Sequence, residues 1–115
     1  MAVITPVKQD TNFHGEIWLW ETCTENDTFT PVVSPDNAEK SVMILGTFGG
    51  DVVPFMVTLD PTSGTMVACK DAFGTDIELT EAGCVPIGPA GWSFAPGVPE
   101  GTSVDVDVYL FIVRK

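Results

Sequence analysis

The sequence predicts an all-β fold: an antiparallel β-sandwich, jelly-roll-like, with seven or eight short strands. Two observations carry this expectation. The 11 glycines and 9 prolines are spread so evenly that no window long enough for a three-turn helix escapes a breaker or a β-branched run. The segments between them are rich in Val, Ile, Thr, Phe and Trp and are separated by turn residues, as in a sandwich or barrel. A chain of 115 residues has material for one core, so residues 1–12 read as an N-terminal arm and 13–115 as a single sandwich domain.

The first strand is expected from Phe13 to Thr22. His14, Glu16, Trp18 and Trp20 share one face, and Phe13, Gly15, Ile17 and Leu19 share the other. The polar turn Glu25-Asn26-Asp27-Thr28 leads into an edge segment, Phe29 to Val33, which Ser34-Pro35-Asp36-Asn37 closes because proline interrupts a ladder. Ser41 to Phe48 carries no charge on either face and is expected as a central strand buried on both sides. Gly49-Gly50-Asp51 then supplies the positive backbone angles of a tight hairpin, from which Val52 to Leu59 returns with Phe55, Val57 and Leu59 on one side.

Asp60-Pro61-Thr62-Ser63-Gly64 turns the chain again. Thr65 to Lys70 and Asp76 to Thr80 flank a further turn at Asp71-Ala72-Phe73-Gly74. Ala82 to Pro99 is dense in glycine and proline around Val85, Ile87, Trp92 and Phe94, which suits a packed irregular segment with one short strand near Trp92. The last strand, Thr102 to Arg114, places Val104, Val106, Val108, Leu110 and Ile112 on its core face. Its reverse face begins wet, with Ser103, Asp105 and Asp107, and ends apolar, with Tyr109, Phe111 and Val113. Something must cover that second half: either the arm at Ala2 to Val7 or another protein chain.

Charge narrows the partners. Sixteen Asp and Glu against five Lys and Arg give a net charge of −11, which repels nucleic acid and anionic lipid alike. The longest apolar runs, such as Val108 to Val113, fall far short of the roughly 20 residues of a membrane-spanning helix. Met1 to Asp10 lack the basic end and greasy centre of an export signal. Cys23, Cys69 and Cys84 are odd in number and include no Cys-x-x-Cys pair, so reduced, half-buried thiols are expected rather than a disulfide framework or zinc cluster.

Catalytic chemistry finds little to work with. His14 is the single histidine, no Gly-x-Ser-x-Gly elbow exists to present a nucleophile, and a structural histidine is the better reading. Asp105 and Asp107 share a strand face about 7 Å apart, but alternating acids usually form the wet side of a strand. Asp71, Asp76 and Glu78 around Gly74 could offer oxygen ligands to a weak cation site, though their spacing fits no EF-hand. Gly46 to Gly50 lacks the Gly-Lys-Ser/Thr of a phosphate loop. No catalytic residue, cofactor or metal site is therefore expected. Trp18, Trp20 and Trp92 could build a sugar platform, although buried tryptophans are commoner in small sandwiches.

The stretch Lys40-Ser41-Val42-Met43-Ile44-Leu45-Gly46-Thr47-Phe48-Gly49-Gly50 is preceded by Thr28-Phe29-Thr30-Pro31-Val32. The chain closes with Gly101-Thr102-Ser103-Val104-Asp105-Val106-Asp107-Val108-Tyr109-Leu110 and a basic Arg114-Lys115 terminus. With these features, residues 16–115 resemble the small virion proteins of tailed bacteriophages, of the capsid decoration (cement) type. Asp60 to Thr65 and Cys84 to Pro99 depart from that pattern, and the family brings no catalytic residues. The resemblance implies a structural virion protein, made in the host cytoplasm, that sits on the outer capsid surface, binds the major capsid protein or neighbouring virion proteins, and forms homo-oligomers. Trp20, Tyr109 and Phe111 are the candidate interface residues, as aromatic anchors on strands whose second faces lack a cover. A phage neck or tail component is the nearest alternative, and a carbohydrate-binding module using Trp18, Trp20 or Trp92 is the alternative of another class.

Overall fold

The computed structural model describes residues 2–9, 15–35, 38–62, 64–88 and 91–113; Phe13, His14 and the Arg114-Lys115 terminus lie outside them. Among the described residues the chain is all-β, with twelve strands and no helix. They are β1 (Val3–Ile4), β2 (Val7–Lys8), β3 (Gly15–Cys23), β4 (Thr28–Phe29), β5 (Val32–Val33) and β6 (Glu39–Thr47). The second half adds β7 (Val53–Thr58), β8 (Val67–Ala68), β9 (Glu78–Leu79), β10 (Gly83–Pro86), β11 (Ser93–Pro96) and β12 (Asp105–Val113). The excess over seven or eight consists of two-residue strands, which turn residues cut too short to show as periods in the sequence.

Two sheets share one core. The first runs β10-β6-β12-β3-β2 and is antiparallel throughout; the second runs β5-β11-β7-β8, with β9 also paired to β7; β1 and β4 form a separate parallel pair. The five residues expected on the core face of the last strand, Val104, Val106, Val108, Leu110 and Ile112, are all buried. Within the first sheet Val108 sits opposite both Ile44 and Trp20, and Leu110 opposite both Val42 and Trp18. Phe55, Val57 and Phe94 meet this layer from the second sheet, and the Trp20 and Phe55 rings cross edge to face at 6.1 Å.

A bulge keeps β3 in phase with this core. Glu21 and Thr22 together oppose Asp107, between the pairs Trp20↔Val108 and Cys23↔Val106. Strict alternation from Trp20 would turn Thr22 inward; the extra residue sends Cys23 in instead. Thr22 adopts φ 54°, and its amide donates to Asp107 Oδ1 at 3.0 Å, so a side chain takes over a ladder bond that the bulge breaks.

Four expectations need correction. Gly49 and Gly50 do have positive φ, but the turn is not a hairpin: β6 pairs with β10 and β12, while β7 belongs to the other sheet. The two glycines carry the chain from one layer to the next. Ser41 to Phe48 is not buried on both faces, because the first sheet has a core on one side only; Val42 and Ile44 are buried while Leu45 is exposed. Leu59 leaves the line of Phe55 and Val57, since β7 ends at Thr58 and Leu59 enters the following turn, 61% exposed. Finally, the glycine- and proline-rich stretch after Ala82 holds two strands rather than one. β10 adds an edge to the first sheet, its Pro86 at the strand end where proline is tolerated.

Candidate protein-docking face

The outward side of the first sheet is built from the residues that alternate with the core. Directly opposed residues of antiparallel strands share a face. One row therefore runs Val7, Leu19, Tyr109, Met43 and Cys84, and the next runs Ile17, Phe111, Ser41 and Pro86. Ile17, Leu19, Met43, Tyr109 and Phe111 are all half-buried, and Leu45 is exposed. The Tyr109 and Phe111 rings lie side by side, 6.2 Å apart and inclined by 17°. Toward the start of β12 the face turns acidic, with Asp105 and Glu21 exposed and Asp107 half-buried. The result is a greasy strip across three strands with a carboxylate border at one end.

Among the described residues, the N-terminal arm does not cover this strip. β2 lies in the plane of the sheet, pairing with β3 through Val7↔Leu19 and Lys8↔Trp18, and Val7 stays 59% exposed. β1 pairs with β4 instead, where Ile4 packs against the core. The arm extends the fold sideways because its own backbone amides and carbonyls find partners there.

Tyr109 and Phe111 thus stand together on an accessible face, but Trp20 does not. Trp20 is fully buried on the opposite side of β3, and its Nε1 donates to the Thr30 carbonyl at 2.9 Å. Its assignment to an interface fails because even-numbered residues at this end of β3 face the core. Trp18 points to the same inner side and donates to Glu16 Oε1 at 3.0 Å, while Trp92 precedes β11 in the other sheet. The three tryptophans form no common open platform.

Two of the acidic candidates, Asp71 and Asp76, are used locally. Asp71 Oδ1 accepts the amides of Phe73 at 2.8 Å and Thr75 at 3.0 Å, and Asp76 is paired with Lys70. Among the described residues no group of three His, Cys, Asp or Glu converges as metal ligands. His14 lies outside the described residues. Cys23, Cys69 and Cys84 are free; the first two are buried, and only Cys84 is exposed. One surface feature escaped the sequence reading: Phe73, placed there in a turn without a role, is 89% exposed. The only hint was a large apolar residue at a turn position between Ala72 and Gly74.

Comparison of the chain with protein-family models, with curated proteins and with solved structures yields no match.

Burial pushes the Cys23 thiol up to about 12, with nearby Asp107 adding to the effect, and burial alone does the same for Cys69. Both stay protonated and shielded at neutral pH. A maleimide should therefore label one cysteine per native chain, at Cys84, and three in denaturant, as counted by mass spectrometry.

Glu25 ties the start of the last strand to the β3–β4 turn. Its carboxylate accepts the amides of Ser103 and Val104, each at 2.9 Å, beside Ser103 at φ 57°. Its own amide, then those of Val104 and Ser103, hold its carboxyl below the usual value of 4.5. A depressed folded-state pKa stabilises the fold above the unfolded value, and the contribution disappears as pH falls through the folded one. The urea midpoint of the wild type should exceed that of Glu25→Gln at pH 7, and the gap should close on acidification below about pH 4.

Proposed function

We propose that this protein is a structural binding module, a decoration protein that docks on the outer surface of a tailed-bacteriophage capsid. The observation that carries this reading is the half-buried apolar strip of Ile17, Leu19, Met43, Tyr109 and Phe111 on the outer face of the first sheet, which the described part of the N-terminal arm leaves uncovered. Contiguous apolar surface rimmed by polar groups is what a protein partner recognises, and paired aromatic rings are common interface anchors. The resemblance of residues 40–50 and 101–110 to cement proteins supplies the class of partner, and an all-β fold of antiparallel sheets is compatible with it. Such a module needs no chemistry. It adds contact area between coat subunits, about 1,600 Å² for a standard interface, and repetition over a shell multiplies a modest affinity. The charge of −11 suits a surface turned away from packaged DNA.

Co-sedimentation with shells assembled from the coat protein of the encoding phage tests this. The wild type should sediment with shells. Phe111→Asp should remain folded, because the ring faces outward, and should lose at least about tenfold in affinity, as hot-spot residues do. A wild-type protein indifferent to shells overturns the reading. So does an unfolded Phe111→Asp, which would place the ring in the protein's own core.

A further inference from the structure

Among the described residues, the charges on the outward rows of the first sheet are all of one sign. Asp105, Asp107 and Glu21 stand at one end and Glu39, opposite Val113, at the other. The described cations are placed elsewhere. Lys8 is opposite Trp18 and so in phase with the core side. Lys40 is opposite Ile112, with its Nζ 5.4 Å from the centroid of the Phe94 ring in the other sheet, and Lys70 is paired with Asp76. Asp105 and Glu21 are exposed, and among the described residues neither has an ion-pair partner.

The carboxylates follow directly on the apolar strip. Along β12 the outward residues read Phe111, Tyr109, Asp107 and Asp105, about 7 Å from one to the next, and along β3 they read Ile17, Leu19 and Glu21. Glu21 shares its row with Asp107 because the bulge sets both Glu21 and Thr22 against that residue. Asp107 is engaged by the Thr22 amide, whereas Asp105 and Glu21 are the more exposed. A ring with a carboxylate one step further along suits an arginine or lysine of a partner: the apolar stem lies on the ring while the cation reaches the acid. A second copy of this chain is a poor occupant, since its own outward face brings only acids and each copy carries −11.

We propose that the outward face receives a basic, apolar segment of the coat protein. Its apolar side chains seat on Tyr109 and Phe111, and its arginine or lysine crosses from Tyr109 to Asp105 and Glu21. This rests on the decoration reading for the identity of the partner and adds the chemistry that the partner must carry. Opposite charges across the rim speed encounter and make the contact sensitive to salt, while the apolar strip holds the segment once it has arrived.

The test adds charge-neutralised variants to the co-sedimentation with shells. Wild-type binding should weaken as NaCl rises from about 0.05 to 0.5 M, because screening shortens the reach of exposed charges. Glu21→Gln combined with Asp105→Asn should lose roughly threefold or more in affinity at low salt and should respond less to added salt. Glu78→Gln combined with Glu100→Gln, which removes two charges at exposed positions beside β7, should behave as wild type. Shell binding that salt leaves unchanged, or that the Glu21 and Asp105 changes do not weaken more than the control pair, overturns the inference while the decoration reading stands. If shells bind at no salt concentration, the decoration reading fails, and selection of a displayed library of random peptides on the full chain decides the inference by itself. Peptides carrying arginine or lysine beside apolar residues, lost on Phe111→Asp and weakened by the Glu21 and Asp105 changes, uphold it. The absence of such peptides overturns it.

Discussion

Truncating Trp20 to alanine is expected to lower the unfolding free energy by about 3–5 kcal/mol, the range for removing a large buried aromatic. The indole is fully buried, crosses the Phe55 ring between the two sheets, and gives the Thr30 carbonyl its partner. Its removal leaves both a cavity and an unpaired acceptor, and the costs combine. Asp105→Ala, on the exposed side of β12, should fall within about 0.5 kcal/mol of wild type. Urea denaturation of the two variants checks the pair, and equal losses would mean that the faces of the first sheet are misassigned.

The second large effect is expected at Gly46. Its φ is +132°, and a Cβ there would lie 2.3 Å from the Asp105 carbonyl oxygen and 2.9 Å from Val106 Cα. Both obstacles are backbone of the neighbouring strand, so relief requires parting β6 from β12. Gly46→Val should cost about 3 kcal/mol or more, combining backbone strain with a steric clash that cannot relax. Gly50 is the control. It also has positive φ, +81°, but an added Cβ meets nothing within 4 Å, so Gly50→Ala should cost only the roughly 1–2 kcal/mol of the left-handed conformation. Comparing the two separates conformational strain from crowding.

How far the fold is legible in the sequence depends on whether a residue's role is local. The core face of the last strand could be read directly, because five apolar residues at period two permit only one register. The turn at Asp71 to Gly74 was equally plain from its composition. The Gly49-Gly50 turn was placed correctly but its consequence was not. A positive-φ pair permits a hairpin and a crossing between layers equally well, and which occurs follows from the distant partners that β6 and β7 take, β10 and β12 for the one and β8, β9 and β11 for the other. β10 was hidden because its four residues include a glycine and a proline, and its pairing with β6 is a long-range choice.

The docking face shows the same division. Tyr109 and Phe111 were marked by an uncovered half-strand, whereas Trp20 was misjudged because both faces near the end of β3 are apolar and sequence alone does not say which is inside. Asp105 and Asp107 were visible as a wet half-strand, but Glu21 joins them only through the pairing and bulge of β3 against β12, which leave no sequence trace.

The position of β12 bears on how the chain is made. It lies between β6 and β3, and Gly15 pairs with Val113, so the first sheet closes only once a strand far along the chain from β3 has been made. Until then β3 and β6 have no common neighbour, and their apolar sides wait in the company of chaperones or of other nascent chains. Folding is therefore expected only after β12 has emerged, and on the millisecond-to-second scale of sheets closed by distant pairings. Ribosomes stalled before Asp105 should display a nascent chain that proteases digest readily.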